Sequence, residues 1–83
     1  MTEILVAVKT LSAENGTAHV LSYYRVEQGR SYGVCVKERD GAVVCVQNLT
    51  QKRPYINALL RKMVRGGVST VSVRDVAEDW LAG

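Results

Sequence analysis

Hydrophobic and polar positions alternate along the first half of the chain, and this alternation predicts β-strands. Over residues 3–9, Ile4, Val6 and Val8 stand at every second position, which is the period of a strand. Three later segments rich in β-branched and aromatic residues continue the pattern, at residues 17–28, 31–39 and 42–48. The turn signals between the segments are Asn15-Gly16 within residues 12–16, Gly29-Arg30 and Asp40-Gly41. Four strands joined in sequence order by short turns predict an antiparallel meander.

Beyond residue 50 the period of the apolar residues becomes helical. A first helix is predicted up to Gly66-Gly67, with Thr50 or a close neighbour as its N-cap and Pro54 in its first turn. Its apolar stripe is Ile56, Leu59, Leu60, Met63 and Val64. After an extended step over residues 68–71, a second helix over residues 73–81 is predicted to begin behind Ser72. Its inward residues are Val73, Val76, Ala77, Trp80 and Leu81.

These elements predict the fold class. We expect an α+β fold, a four-stranded antiparallel meander followed by two α-helices (ββββαα). The 83 residues are enough for one domain, so residues 1–83 are expected to form a single small domain.

The loop at Asp40-Gly41 determines how the two cysteines are placed. A two-residue loop puts Cys35 and Cys45 on opposite faces of the sheet, whereas a three-residue loop with a glycine bulge puts them directly opposite each other. The second register also collects an apolar set on one face: Tyr32, Val34, Val36, Ala42, Val44 and Val46. Because a slip of one residue moves such a set to the other face, this register is favoured. We expect cross-strand cysteines that are reduced inside a cell.

The second face of the predicted sheet is also apolar, which is unusual for a single-layer sheet. Two helices on so small a sheet cover only one of its faces. The side chains expected on the other face, together with Ala7, are Leu5, Leu21, Tyr23, Cys35, Val43 and Cys45. An apolar outer face favours a homodimer through the sheets or a protein partner. The alternatives are helices that split, one to each side, or a strand in another register.

Several short motifs follow one another in a distinctive order. Tyr32-Gly33 opens a strand, Asp40-Gly41 forms a turn, and the first helix ends before a Val-Ser step. The chain closes with Asp75-Val76-Ala77-Glu78-Asp79-Trp80-Leu81. Over about residues 20–82 this arrangement resembles a domain of unknown function from short bacterial proteins, found chiefly in Gram-positive anaerobes. The resemblance implies a small cytoplasmic α+β domain with no assigned activity and no known catalytic residues.

The charges are concentrated in the two predicted helices. The chain has 11 Lys+Arg and 8 Asp+Glu residues, which gives a net charge of +3. Residues 50–67 hold five cations and no acid, whereas residues 68–83 hold three acids and one cation. One face of the first helix carries the candidate binding residues, which are Arg53, Asn57, Arg61, Lys62 and Arg65.

This basic helix face has two interpretations. It suits the phosphates of nucleic acid or an acidic partner. The favoured alternative is a solvated face that pairs with the second helix, with Asp75, Glu78 and Asp79 folding back on Arg61 or Arg65. No helix-turn-helix, RNP, KH or zinc pattern accompanies the face, and Tyr55 is the only aromatic residue beside it.

Composition and motifs argue against several classes of function. No apolar run approaches the length of a membrane span, and residues 1–9 lack the features of a signal peptide, which favours a cytoplasmic location. His19 is the only histidine, and nothing in the sequence marks a nucleophile for it, so no catalytic residue is expected. Two cysteines and one histidine cannot complete a four-ligand zinc site, and no cofactor or small-molecule substrate is indicated.

The sequence therefore predicts a small non-enzymatic protein-interaction module. It is expected to bind itself through the sheet face, or to act on another protein as an accessory or inhibitor. The alternative function is binding of nucleic-acid phosphates through the basic first helix.

Overall fold

The computed structural model describes residues 1–12 and 15–83 and contains the predicted elements in the predicted order. Of the first predicted turn segment, Ala13 and Glu14 lie outside the described residues. The strands follow one another as β1-β2-β3-β4 in an antiparallel sheet, so the ββββαα fold is confirmed. The elements are β1 (Thr2–Ser12), β2 (Ala18–Gln28), β3 (Ser31–Glu38), β4 (Val43–Thr50), α1 (Arg53–Gly66) and α2 (Val73–Ala82).

The hairpin between β3 and β4 has the three-residue loop that the apolar pattern favours. Gly41 has a φ of 106° and donates its N–H to the Glu38 carbonyl oxygen, while the Glu38 N–H donates to the Ala42 carbonyl oxygen. Only glycine adopts such a φ without strain, which explains why this loop ends in Gly41. Cys35 consequently lies directly opposite Cys45, as predicted.

The helices cover the face of the sheet that carries Val34 and Val36, and both of these side chains are fully buried. Tyr23 of β2 lies opposite Val36, which turns Tyr23 and its neighbour Leu21 toward the helices. The two side chains are 0% and 1% exposed. The expectation that Leu21 and Tyr23 belong to the outer face is therefore corrected. Both faces of β2 are apolar, so only its pairing with β3 decides which face is the core.

A β-bulge in β1 separates Leu5 from Ala7. Leu5 lies opposite Tyr24 and Ala7 lies opposite Tyr23, so Val6 is an extra residue that lets the strand change face. Leu5 therefore stays on the outer face, 53% exposed, while Ala7 packs against the core. Simple alternation placed the two on one face, which is wrong for Ala7.

Helix α1 buries the predicted apolar stripe. Its buried side chains are Ile56, Leu59, Leu60 and Met63. The N-cap is Lys52, a close neighbour of Thr50, and it makes no side-chain capping bond; the Thr50 hydroxyl accepts a hydrogen bond from the Lys52 N–H. It ends at the left-handed Gly67, whose φ is 62°, one residue after Gly66.

Helix α2 buries Val73 and Ala77, but Leu81 is 52% exposed rather than inward-facing. The segment before it is a turn and not the predicted extended step, since the Val73 N–H bonds to the Ser69 carbonyl oxygen. Neither α1 nor α2 is long and apolar enough to cross a lipid bilayer.

Candidate interaction surfaces

Neither helix packs on the outer face of the sheet, although Val26 and Cys35 on that face are buried. Leu5, Val8 and Val43 are among its most exposed apolar side chains, each between 53% and 55% exposed. Leu5 and Val43 are thus confirmed on this face, with both cysteines. The strand registers place on the outer face Glu3, Leu5, Val8, Val20, Ser22, Tyr24, Val26, Cys35, Lys37, Val43 and Cys45.

In the described part of the chain, one ion pair lies on the outer face. The Lys37 ammonium donates to the Glu3 carboxylate at 2.6 Å, and it lies 4.6 Å from the centre of the Tyr24 ring. The hydrogen bond to Glu3, reinforced by the carboxylate charge, raises the pKa of Lys37. The two charges on this face therefore cancel each other.

The two cysteines are joined in a disulfide, with their Cα atoms 4.0 Å apart. The predicted register is confirmed, but the expectation of free thiols is corrected, because sequence pattern specifies where the cysteines lie and not their oxidation state. The Glu3 carboxylate lies within 4.8 Å of both sulfurs. Among the described residues this is the one group of three potential metal ligands, and two of its ligand atoms are bonded to each other.

The basic face of α1 divides into two parts. Toward its beginning, the Arg53 guanidinium lies 3.8 Å from the Glu27 carboxylate and 5.8 Å from the centre of the Tyr32 ring. The Asn57 side-chain oxygen accepts a hydrogen bond from Arg25, so Asn57 is part of the contact between α1 and β2. These two candidate residues help hold the helix to the sheet.

Toward the end of α1, the cations Arg61, Lys62 and Arg65 are exposed. The three ion pairs among the described residues involve none of them. The expectation that the acids of α2 fold back on Arg61 or Arg65 is therefore wrong. Helix α2 turns its buried side, Val73 and Ala77, toward the core, and its three acids are exposed.

Lys9 reaches the end of the same helix from the sheet. Its ammonium donates to the carbonyl oxygens of Val64 at 2.8 Å and of Arg65 at 3.1 Å. A cation is favourable at this position because the last carbonyls of a helix carry partial negative charge. Strand alternation in the sequence showed Lys9 only as a polar residue between apolar ones.

The segment that joins the helices is fixed to the sheet by two polar contacts. The Tyr23 hydroxyl donates to the Val68 carbonyl oxygen at 2.9 Å, and the Glu38 carboxylate accepts hydrogen bonds from the Thr70 N–H and hydroxyl. Burial, and secondarily the Glu38 charge, raises the pKa of Tyr23. The Tyr23 hydroxyl thus has a structural partner, whereas the sequence pattern predicts Tyr23 on the outer face of the sheet.

A groove of about 600 Å³ lies between α1, α2 and the end of β4. Tyr55 and Trp80 meet there edge to face, with ring centres 6.0 Å apart, and Lys52 lies 5.3 Å from the centre of the Tyr55 ring. Leu81 lines this groove, which explains its exposure.

Comparison with known proteins places the chain in a family. The model of a family of unknown function, DUF6514, matches residues 2–83. The chain belongs to this family. Neither a search of curated proteins nor a search of solved structures found a match.

Membership of DUF6514 confirms the resemblance to an uncharacterised domain. The function of the family is unknown, so the candidate sites are the surfaces of the molecule itself. Two of them stand out: the apolar outer face of the sheet and the exposed cations at the end of α1.

Proposed function

We propose that this DUF6514 protein is a small non-enzymatic interaction module that binds a second copy of itself through the outer face of its sheet. The observation that carries the proposal is the packing of both helices on one face. The other face keeps Leu5, Val8 and Val43 about half exposed. Burying such side chains against another surface is favourable by about 25 cal/mol for each Å² of apolar area.

Charge favours a second copy as the occupant. Among the described residues, the strand registers place one acid and one base on the outer face, Glu3 and Lys37, and these two already pair within the chain. The net charge of +3 therefore resides elsewhere, and the exposed cations of α1 lie on the helical side of the sheet. Two copies that meet through their outer faces keep these basic surfaces apart, so the dimer has little repulsion to overcome.

The size of the face matches a modest dimer. Strands of 8 to 11 residues, at about 3.3 Å per residue and about 4.8 Å between strands, give roughly 600 Å² for each copy. Two copies then bury about 1,200 Å², which is the lower end of the range for specific interfaces. We therefore expect a concentration-dependent dimer rather than a permanent one.

Val43→Glu tests this proposal, because it places a charge in the outer face without altering the core. We expect the wild-type mass in light scattering to rise from monomer toward dimer with concentration, and Val43→Glu to remain monomeric. Val71→Glu is the matched control, since Val71 is 87% exposed in the turn before α2. Association that depends on apolar burial should persist in high salt.

A wild-type protein that stays monomeric at every concentration would contradict the second copy as occupant. A dimer unaffected by Val43→Glu but lost in Val71→Glu would place the interface elsewhere. If the wild type is monomeric, a different protein becomes the occupant to search for, and the chain would then act as an accessory or inhibitor.

The second candidate function is binding of nucleic-acid phosphates by α1. The observation that favours it is the absence of ion-pair partners, in the described part of the chain, for Arg61, Lys62 and Arg65. Three phosphate contacts give a logarithmic salt slope of about −2.7 on duplex DNA. Arg53 contributes less, because Glu27 already neutralises part of its charge.

The double variant Arg61→Glu and Arg65→Glu separates this candidate from the dimer. It should abolish binding of a labelled DNA duplex at low salt and leave the mass in light scattering unchanged. The matched control is Arg39→Glu with Arg74→Glu, which removes the same charge at two other exposed positions. Equal loss of binding in both double variants would show a dependence on net charge alone and would contradict a site on α1.

A cytoplasmic location is part of the proposal. Fractionation of cells that express the chain, followed by immunodetection, would test it. Recovery with the membrane or outside the cell would contradict it.

A further inference from the structure

The two cysteines of the disulfide differ in their exposure to solvent. Cys35, on the central strand β3, is fully buried even though no helix covers this face. Cys45, on the edge strand β4, is only half-buried. Cys45 is therefore the more accessible of the two cysteines to an external thiolate, whereas Cys35 is accessible only if the sheet opens locally.

The sheet keeps the two sulfurs facing each other independently of the bond between them. The neighbouring pairs Val34–Val46 and Val36–Val44 continue the same register and point toward the helices. Since this packing is on the opposite face from the sulfurs, reduction leaves the register in place. Two thiols held opposite each other are re-oxidised by an external disulfide without rearrangement of the backbone.

The charges beside the sulfurs do not oppose the approach of a thiolate. The Glu3 carboxylate lies within 4.8 Å of both sulfurs, and the Lys37 ammonium is bonded to that carboxylate. The local charge is therefore balanced. An approaching thiolate therefore meets no net negative charge beside the disulfide.

We propose that Cys35 and Cys45 form a reversible exchange site for low-molecular-weight thiols, in which Cys45 is the sulfur attacked from outside. The thiolate sulfur bonds to Cys45 Sγ, the disulfide breaks, and Cys35 leaves as a thiolate that takes up a proton. A second thiolate attacks the external sulfur of the mixed disulfide and releases Cys45. Two external thiols are thus oxidised to one disulfide while the protein disulfide is reduced to two thiols, and the reverse reaction restores it.

This inference concerns the single chain: Cys45 lies on the outer face, so a dimer through that face would cover it, and the test uses a protein concentration at which the chain is monomeric. Its test compares reduced Cys35→Ser with reduced Cys45→Ser, each treated with glutathione disulfide and followed by mass spectrometry. Cys35→Ser, which keeps the accessible Cys45, should form the mixed disulfide at least about tenfold faster, because Cys35 reacts only through local opening. In denaturant the two rates should become equal.

A second measurement uses the unaltered chain. The oxidised protein is treated with reduced glutathione, quenched in acid and digested, and the glutathione adduct should map to Cys45. Equal native rates for the two variants, or an adduct that maps to Cys35, would overturn the proposal. If circular dichroism shows that a serine variant has unfolded, the adduct position in the unaltered chain decides the question.

Discussion

At the scale of single residues, polar atoms at the ends of core side chains fix the helices on the sheet. Tyr23 fills the core with its ring and bonds to the Val68 carbonyl oxygen with its hydroxyl. Lys9 is not a core residue, but its ammonium likewise bonds to the last carbonyl oxygens of α1. Both contacts satisfy backbone carbonyls that a helix or turn leaves without partners. Such contacts join residues more than forty positions apart, so no local sequence pattern predicts them.

Tyr23→Phe tests the hydroxyl contact. The variant should lose about 1 kcal/mol of unfolding free energy in urea, because the Val68 carbonyl oxygen loses its partner. Tyr24→Phe is the matched control. It keeps the Tyr23 contact and a ring beneath Lys37, so its stability should stay within about 0.5 kcal/mol of the wild type.

The raised pKa of Tyr23 adds a dependence on pH. The ordinary tyrosine pKa is 10.0, and the folded chain holds this proton more tightly than the unfolded chain does. The stabilisation is therefore complete below about pH 10 and is lost as the pH rises through the folded pKa. Tyr23→Phe should therefore lose less stability at alkaline pH than the wild type does. The loss that remains should come from Lys37, whose pKa is also raised. An unchanged alkaline profile in Tyr23→Phe would contradict this assignment.

At the scale of elements, two irregularities shape the sheet. The bulge at Val6 lets β1 show Leu5 on one face and Ala7 on the other. Between β3 and β4, the register moves from Val34–Val46 to Tyr32–Thr50, which gives β4 two extra residues, and Asn48 there has a φ of 58°. Strand periodicity assumes regular pairing, so it placed the end of β4 too early.

Gly33 permits this irregularity. A Cβ at position 33 would collide with the Val46 carbonyl oxygen and lie 2.8 Å from Gln47 Cα, and both are backbone atoms that cannot rotate away. Gly33→Ala should therefore cost about 1–3 kcal/mol of unfolding free energy. The control is Gly66→Ala inside α1, where the nearest atom is a Val68 methyl at 3.8 Å. That variant should be neutral or up to about 1 kcal/mol more stable, as measured by urea unfolding.

At the scale of the whole molecule, one layer of helices on one sheet gives a thin body of 42 × 26 × 17 Å. A domain of this size buries a modest fraction of its surface, so its stability margin is small. The disulfide within the β3–β4 hairpin and self-association through the outer face both add to that margin. The first acts within the chain and the second between chains.

Reduction of the disulfide tests the contribution within the chain. The bond closes a loop with a sequence separation of 10, and the chain-entropy relation gives a stabilisation of up to about 3 kcal/mol for such a loop. Reductant should lower the unfolding free energy by no more than this amount and leave the circular dichroism spectrum intact. The variant Cys35→Ala with Cys45→Ala should not respond to reductant. Unfolding on reduction alone would show that the core does not hold the register by itself.

Much of this architecture was predictable because its signals are local. Strand and helix periods, the three turn signals and the stripe of α1 determine the elements and their order. The β3–β4 register followed from requiring a single clean apolar face, and the exposed cations Arg61, Lys62 and Arg65 followed from helical spacing. In each case the residues concerned lie close together in sequence.

The tertiary structure alone decided which face of the sheet remains exposed and which contacts fix the helices to the other face. Alternation specifies which residues of β2 share a face, but both of its faces are apolar, and only pairing with β3 buries Leu21 and Tyr23 and leaves Tyr24 outside. The same is true of the Lys9 contact to α1 and the Glu38 contact to Thr70, which join distant segments. Short-range pattern determines which elements form along the chain, whereas the choice of the core face and the unequal burial of the two cysteines depend on which segments meet in the sheet.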